Sequence, residues 1–334
     1  MKKQIFMTMT VVALTTSLSV AVSARELRSG NSAPASTVWG KASDAFAAKV
    51  AELSGGKLTV KHFHAAQLGD EQTVIRQTAR GRIDIAWSSN TATSLLAPEF
   101  GLLASPYAFE SREQADCVTD NYVLKTFGDQ MSKAGVHPLA TVEVGQQIIM
   151  SKKPIKSPSD LAGVKIRTAP TKTDSLYIEA AGGTAIPLGT VDTMPALKTG
   201  NVDAVTWPTI YGIAVGYQKD APNVTVTNHV HQLGSVVVSN KTWNSLNKEE
   251  QGWLTKAADL TLKDLRQPVR DVEAEMLKKI AESGNGVNVY YPNEEEMKAW
   301  RAAALEAQPV ILDELGDSAK QAWAKIETAK KACQ

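Results

Sequence analysis

Cysteine is scarce in this chain. It has two, Cys117 and Cys333, and no C-x-x-C pair. That excludes a dithiol redox centre and a cysteine-built zinc module. An excess of one charge is also lacking: 36 Lys+Arg stand against 35 Asp+Glu. Without Lys2 and Lys3 the basic count falls to 34. No basic field points to nucleic acid. After Ala24 no apolar run reaches the about 18 residues that a membrane span needs. There is no G-x-x-x-x-G-K-[ST], no G-x-G-x-x-G behind a strand and no G-x-S-x-G elbow, so neither a nucleotide cradle nor a hydrolase serine is signalled. Carboxylates are scattered, and no glycosidase-type pair stands out. A secreted hydrolase with a less obvious pair stays open as an alternative. The five histidines include two i, i+2 pairs, His62/His64 and His229/His231, beside the lone His137. Each pair would put two imidazoles on one face of a strand. No third ligand sits at a fitting spacing, so no metal and no cofactor are expected.

The N-terminus carries positive information. Lys2 and Lys3 precede an apolar stretch, Ile5 to Val22, and Val22-Ser23-Ala24 offers small residues for cleavage. This reads as a signal peptide over residues 1–24, removed on export to the periplasm. Thr8, Thr10, Thr15, Thr16, Ser17 and Ser19 interrupt the stretch, which suits a permanent membrane anchor poorly. No cysteine follows the cut, so a lipoprotein is not expected. An exported chain can bridge its two cysteines. Closing a loop of roughly 200 residues would be worth about 5 kcal/mol in the chain-entropy model. Spacing alone leaves two free thiols open. A bridge would pin the C-terminal tail.

The exported chain, about 310 residues long, exceeds what one core usually serves, so two lobes are expected. Trp39, Ala42, Phe46, Val50 and Leu53 recur at helical steps up to the stop at Gly55-Gly56. Lys57 to Phe63 alternates as a strand, Asp70 to Arg80 is helical, and Ile83 to Trp87 is a strand. Alternating helices and strands imply a largely parallel sheet covered on both faces. The junction Gly81-Arg82-Ile83-Asp84-Ile85-Ala86 has a counterpart in Gly200-Asn201-Val202-Asp203-Ala204-Val205. Each strand runs into a polar or aromatic tip, Trp87-Ser88-Ser89-Asn90 in one and Thr206-Trp207-Pro208 in the other. In such sheets ligands bind beyond the carboxyl ends of strands. Asn247 to Ala281 reads as one long helix with Asn247 and Glu250 as a capping box and a kink at Pro268. Glu294 to Leu305 and Asp317 to Lys331 are further amphipathic helices.

Arg167 ends the alternating segment Gly163-Val164-Lys165-Ile166-Arg167, where a guanidinium can present a planar fork to a carboxylate. On residue chemistry alone it could equally make a surface ion pair. A family likeness weighs in here. Ser54-Gly55-Gly56-Lys57-Leu58-Thr59-Val60, Gln67-Leu68-Gly69-Asp70 and Gly81-Arg82-Ile83-Asp84-Ile85 resemble the first lobe of the solute-binding proteins of TRAP (tripartite ATP-independent periplasmic) transporters, of the dicarboxylate-binding-protein-like kind. Leu161 to Arg167, Ala196 to Ala204, Thr227-Asn228-His229 and Ser239 … Trp243 … Leu246 … Gln251 extend the resemblance over nearly the whole exported chain.

The resemblance implies an α/β, two-lobed periplasmic-binding-protein clamp (type II-like) with a long helix spanning both lobes. Lobe 1 is expected over 25–144 plus 234–270 and lobe 2 over 145–233 plus 271–334, with the ligand cleft between them. It implies a receptor that does no catalysis, binds a small organic acid and hands it to an ion-gradient-driven membrane permease. A monomer is expected, with no nucleic-acid partner. The family's carboxylate-pairing arginine falls on Arg167. Two departures matter. Where many sugar-acid and dicarboxylate binders carry an asparagine, this chain has Trp207; where many carry a second arginine, it has Gln147. One cationic anchor is gone and one aromatic has arrived, which implies a monocarboxylate, possibly with an aromatic or apolar body. Trp207, Trp87 and Tyr211 would wall the pocket. Asn31, Ser89 and Asn90 would meet the ligand's polar end, and Thr190 is a further candidate. An ABC-type or sensor-linked binding protein is the alternative that shares the clamp.

Overall fold

The computed structural model describes residues 24–334. The signal peptide expected over 1–24 lies, except for Ala24, outside the described residues. Ten strands are present among them: β1 (Arg25–Gly30), β2 (Leu58–Phe63), β3 (Ile85–Ser89), β4 (Val136–Ser151), β5 (Lys165–Thr168), β6 (Thr184–Pro187), β7 (Ala204–Pro208), β8 (Asn223–Thr225), β9 (His231–Ser239) and β10 (Asn288–Tyr290). They run in the order β2-β1-β3-β9-β4-β7-β5-β6, and β8 pairs with both β4 and β10. β1 is parallel to β2 and β3, and β9 is antiparallel to β3 and β4. On the other side β5 is parallel to β6 and β7, and β7 is antiparallel to β4.

β4 therefore belongs to two sheets. Its first part pairs with β9 as far as Gln146, and Gln147–Ser151 pair with β7. A register shift between Glu143 and Gly145 marks the passage; such bulges bend a strand. Gly145 has φ +119°, and a Cβ there would sit 3.0 Å from the Glu273 carboxylate. Only glycine accepts both conditions without strain. The result is a two-lobed α/β molecule whose lobes share a strand.

The helices follow local rules. α1 (Val38–Leu53) is capped by Thr37, α2 (Glu71–Ala79) by Asp70 and α3 (Asn90–Thr93) by Ser89, each side chain accepting from a first-turn N–H. α4 (Arg112–Val118), α5 (Leu124–Lys133) and α6 (Lys172–Ala180) follow, then α7 (Thr190–Thr199), stopped by the left-handed Gly200. α8 (Thr209–Val215), α9 (Asn240–Ser245), α10 (Lys248–Leu262), α11 (Arg266–Glu282), α12 (Glu294–Leu315) and α13 (Asp317–Ala332) complete the chain.

The single helix expected over Asn247–Ala281 is two. Its capping box forms as read, with Asn247 and Glu250 each bonding the other's N–H. The helix then breaks between Leu262 and Arg266. The physical reason is Pro268. In a continuous helix its ring would collide with the carbonyl of Asp264. Restarting at Arg266 places the proline in a first turn, where no N–H is needed. α10 packs on α1 and β4, while α11 packs on β4, α8 and β10, so the pair still backs both sheets. α12 also runs past the expected end at Leu305 to Leu315, through Pro309. Cys117 and Cys333 are bridged. The bridge ties the end of α13 to α4.

Behind the crossover lies an ion network. Arg270 of α11 holds Asp116 at 2.6 Å and Glu143 at 2.8 Å. Arg112 holds Glu273 at 3.1 Å, and Glu273 accepts the Gln146 N–H at 2.7 Å. Glu143 and Glu273 are both buried, and burial pushes each carboxyl above its usual pKa. Asp116, Glu143 and His231 lie within 4.8 Å of one another. Arg270 bonds both carboxylates and takes the place a cation would.

Removing one partner of a buried ion pair strands the other charge, which costs about 3–5 kcal/mol. Arg270→Met is therefore expected to lower the unfolding free energy measured by urea titration by an amount of that order. Adding Glu143→Gln should recover much of the loss. Equal stability of the single and double variants would refute a compensated buried charge.

Candidate functional site

Four strands of the two sheets end at one cleft. Asn31, Ser32 and Ala33 follow β1, Ser89 ends β3, Ala169 follows β5 and Pro208 ends β7; all line it, around about 770 Å³ of empty space. This is where open α/β sheets offer their ligand sites.

Arg167 sits on the floor, only 4% exposed. Its Nε and Nη2 donate to the Leu188 carbonyl at 3.1 and 2.8 Å, and Nη1 donates to the Thr206 carbonyl at 3.3 Å. A guanidinium has five N–H groups. Three are taken, which leaves one on each terminal nitrogen, the pair that grips a carboxylate. The guanidinium carbon sits over Trp207, 3.7 Å from the ring centroid. Carbonyls and indole fix its plane without neutralising it. Burial pulls its pKa down to about 10, and the nearby Asp174 and Glu71 act against that pull. The charge remains at neutral pH.

Eight of the nine expected residues line the cleft: Arg167, Trp207, Gln147, Trp87, Ser89, Asn31, Tyr211 and Thr190. Trp207 is 5.4 Å from Tyr211 and 5.2 Å from Tyr217, ring to ring. Trp87 is buried against Trp39, Phe46 and His62. Gln147 donates to Gln232 at 2.7 Å, and Gln232 donates on to Thr91 at 3.3 Å. Ser89 bonds Thr91 at 2.7 Å and caps α3. Asn90 is the exception. It is fully buried but does not line the cleft. Trp87 and Ser89 face the cleft on alternate positions of β3, whereas Asn90 stands past the strand's end as the first residue of α3.

Buried polar atoms without partners gather here. Among the described residues, both amide atoms of Asn31, Ser32 Oγ, Trp87 Nε1, Gln147 Oε1 and Thr190 Oγ1 lack a hydrogen bond. Each costs free energy while unmet. Together they surround the space with groups ready for a polar guest.

The sequence reading missed Glu71, Trp39, Thr91 and Gln232, which also line the cleft. Glu71 accepts the Ser89 N–H at 3.0 Å, and burial raises its pKa. The quoted motif Gln67 to Asp70 stops one residue short of it. The sequence marks Trp39 only as one of the residues on a helical face of α1. Its indole instead donates to the Glu143 carbonyl at 2.8 Å. It fits only because residue 234 is glycine: a Cβ there would lie 2.4 Å from the Trp39 ring. Lobe meets lobe at the rim, where a Cβ on Gly189 would come within 3.0 Å of the Asp70 carboxylate. His62 and His64 lie off the cleft with rings 4.6 Å apart, and His229 and His231 open onto a separate cavity.

The comparisons agree with this architecture. The family model for bacterial extracellular solute-binding protein, family 7 (DctP) matches residues 29–312. A solute-binding protein of Chromohalobacter salexigens is 26% identical, covering 82% of this chain and 82% of its own. The ectoine-binding periplasmic protein TeaA of Halomonas elongata is 23% identical, covering 83% and 82%. The sugar acid binding protein DctPAm of Advenella mimigardefordensis, solved in complex with galactonate, superposes with a TM-score of 0.88 at 26% identity, covering 93% of this chain and 99% of its own. The chain belongs to family 7 of the bacterial extracellular solute-binding proteins, the solute receptors of TRAP transporters.

Proposed function

We propose that this chain is an exported periplasmic receptor that captures a small monocarboxylate on Arg167 and delivers it to an ion-gradient-driven TRAP permease. The observation that carries the reading is the buried guanidinium with one unused N–H on each terminal nitrogen. A second carboxylate would find no second arginine on the cleft wall, where Gln147 is uncharged and already bonded to Gln232. The ligand's body would pack between Trp207 with Tyr211 and Trp87 with Trp39. Asn31, Ser32, Thr190 and Glu71 would meet its hydroxyl or amino groups, and Asn90 would support the wall from behind. A sugar acid such as the galactonate bound by the Advenella relative has this pattern of one carboxylate and several hydroxyls.

Capture would work by closure. Lobe 1 would comprise 25–144 plus 234–270 and lobe 2 would comprise 145–233 plus 271–334, except that the last helix would leave lobe 2. α13 would move with lobe 1, to which the disulfide ties it. A ligand that contacts both lobes favours the closed state by its differential affinity. Moving from about 1% to about 99% closed takes about 5.5 kcal/mol. A sealed arginine–carboxylate pair with aromatic packing is of that order.

Arg167→Gln is expected to weaken binding by about 2–5 kcal/mol, as for other truncated buried charge pairs. Far-UV circular dichroism should stay unchanged. A thermal-shift screen of organic acids should show monocarboxylates stabilising the wild type and not the variant. Stabilisation by dicarboxylates alone would overturn the reading.

Glu71 adds a pH dependence. Its pKa is raised, so below that value it is neutral and tolerates a second carboxylate nearby. Above it, the ionised pair repels. Affinity for a monocarboxylate without an amino group should therefore fall as pH rises through the range above ordinary carboxylates. Calorimetry across that range should find the slope flattened in Glu71→Gln.

Gly189→Ala tests closure. The added methyl would crowd Asp70 across the rim only when the lobes meet. Weaker binding and a smaller ligand-induced drop in radius of gyration are expected, with the melting temperature of the free protein unchanged.

A further inference from the structure

β4 has two faces at the crossover, and Gln146 and Gln147 point to opposite sides. Gln147 lines the ligand cleft, while Gln146 lines a second, open cavity of about 560 Å³ counting the solvent at its mouth. We propose that this second cavity is a binding site for a small monoanion. Its wall includes Tyr107, Arg112, His229, His231 and Arg301.

The chemistry of the wall is that of a donor set. His229 is fully buried, with Nδ1 2.7 Å from the Thr227 hydroxyl. That hydroxyl has no other acceptor among the described residues, so it donates to Nδ1 and the ring proton sits on Nε2. Gln146 Nε2 donates to His231 Nδ1 at 3.1 Å, which likewise puts the proton on Nε2. Burial holds both rings neutral, with pKa values lowered to about 3 for His229 and about 4 for His231. His231 Nε2 lies 3.9 Å from the Glu143 carboxylate, which leaves His229 Nε2 as the buried atom of the wall without a partner among the described residues. That unmet N–H calls for an acceptor.

The charge comes from Arg301. Its guanidinium lies over the Tyr107 ring at 4.7 Å and has no carboxylate partner among the described residues. Arg112 is already answered by Glu273 at 3.1 Å. Glu110, the acid on the rim, is exposed, as Arg301 is, and the two are not paired among the described residues. Arg301 is thus the cation of the wall that a single negative charge on a guest would answer. Tyr107 is held in the left-handed region, φ 51°, by bonds from its N–H to the His229 carbonyl and from its hydroxyl to the Thr227 carbonyl. Strain of this kind persists where the surroundings over-determine it, often at binding sites.

Crystals soaked in sodium bromide should show an anomalous peak within hydrogen-bond distance of His229 Nε2. In solution, chlorine-35 line broadening would report exchange at the site. It should be measured in an Arg167→Gln background, so that the cleft arginine does not contribute. Adding Arg301→Gln, an exposed change that should not disturb folding, is expected to reduce the excess broadening several-fold. An anomalous map with no peak in the cavity, or broadening unchanged by Arg301→Gln, would overturn the proposal.

Discussion

One strand must serve two sheets, and much of the molecule follows from that constraint. β4 leaves its partner β9 at Gln146 and takes up β7 at Gln147. A strand that bends there needs a bulge and a residue without a side chain, supplied by Gly145. The bend frees backbone groups that must find partners. Glu273 takes the Gln146 N–H, and Trp39 takes the Glu143 carbonyl. Each of these partners is itself costly to hold. Glu273 is a buried acid and needs Arg112, and Glu143 needs Arg270. The ion network behind the crossover is the consequence of bending a strand in a dry interior.

The same economy of charge governs the cleft. Arg167 is buried without a carboxylate partner among the described residues, a state that is unfavourable unless dipoles replace water. Two carbonyls and an indole face do so while leaving its outward edge unbonded. A neighbouring carboxylate would have stabilised the free protein and blocked the fork. Holding the charge with dipoles keeps it available, and Asp174 contributes its field from behind, bonded to the Ala169 N–H.

Much of this was legible in the sequence, and for definite reasons. Caps and stops such as Asp70, Gly200 and Asn247 act over four residues, so their spacing announces them. Arg167 and Trp207 stand at strand ends, the one place in such sheets where position alone argues for a site. What escaped was whatever depends on contacts distant in sequence. Trp39 has the right period for a core helix face, and only Gly234, far along the chain, makes room for it at the cleft. Glu71 opens a helix as countless surface acids do, and its burial follows from packing beneath β3. Asn90 is expected at the cleft because the tip of β3 reads as one unit, whereas the strand ends at Ser89 and Asn90 opens α3. The long helix failed at Pro268 because a kink and a restart have the same sequence signature.

The two faces of β4 also constrain how the cleft can move. Gln147 bonds Gln232 on the cleft side, and Gln146 bonds His231 on the other. Both pairs join β4 to β9 at the crossover between the two sheets. A rotation about that point must shear both pairs together, because adjacent residues of a strand cannot turn independently. Side-chain amides tolerate such shear better than an ion pair does, since their optimum is shallower and their loss in partly wet surroundings is about 1 kcal/mol. The charged network sits one step away, on Glu143 and Glu273, where it clamps the strand to α11. If the lobes rotate as proposed, the soft bonds would lie at the pivot and the stiff ones beside it, the order a clamp needs to open without unfolding.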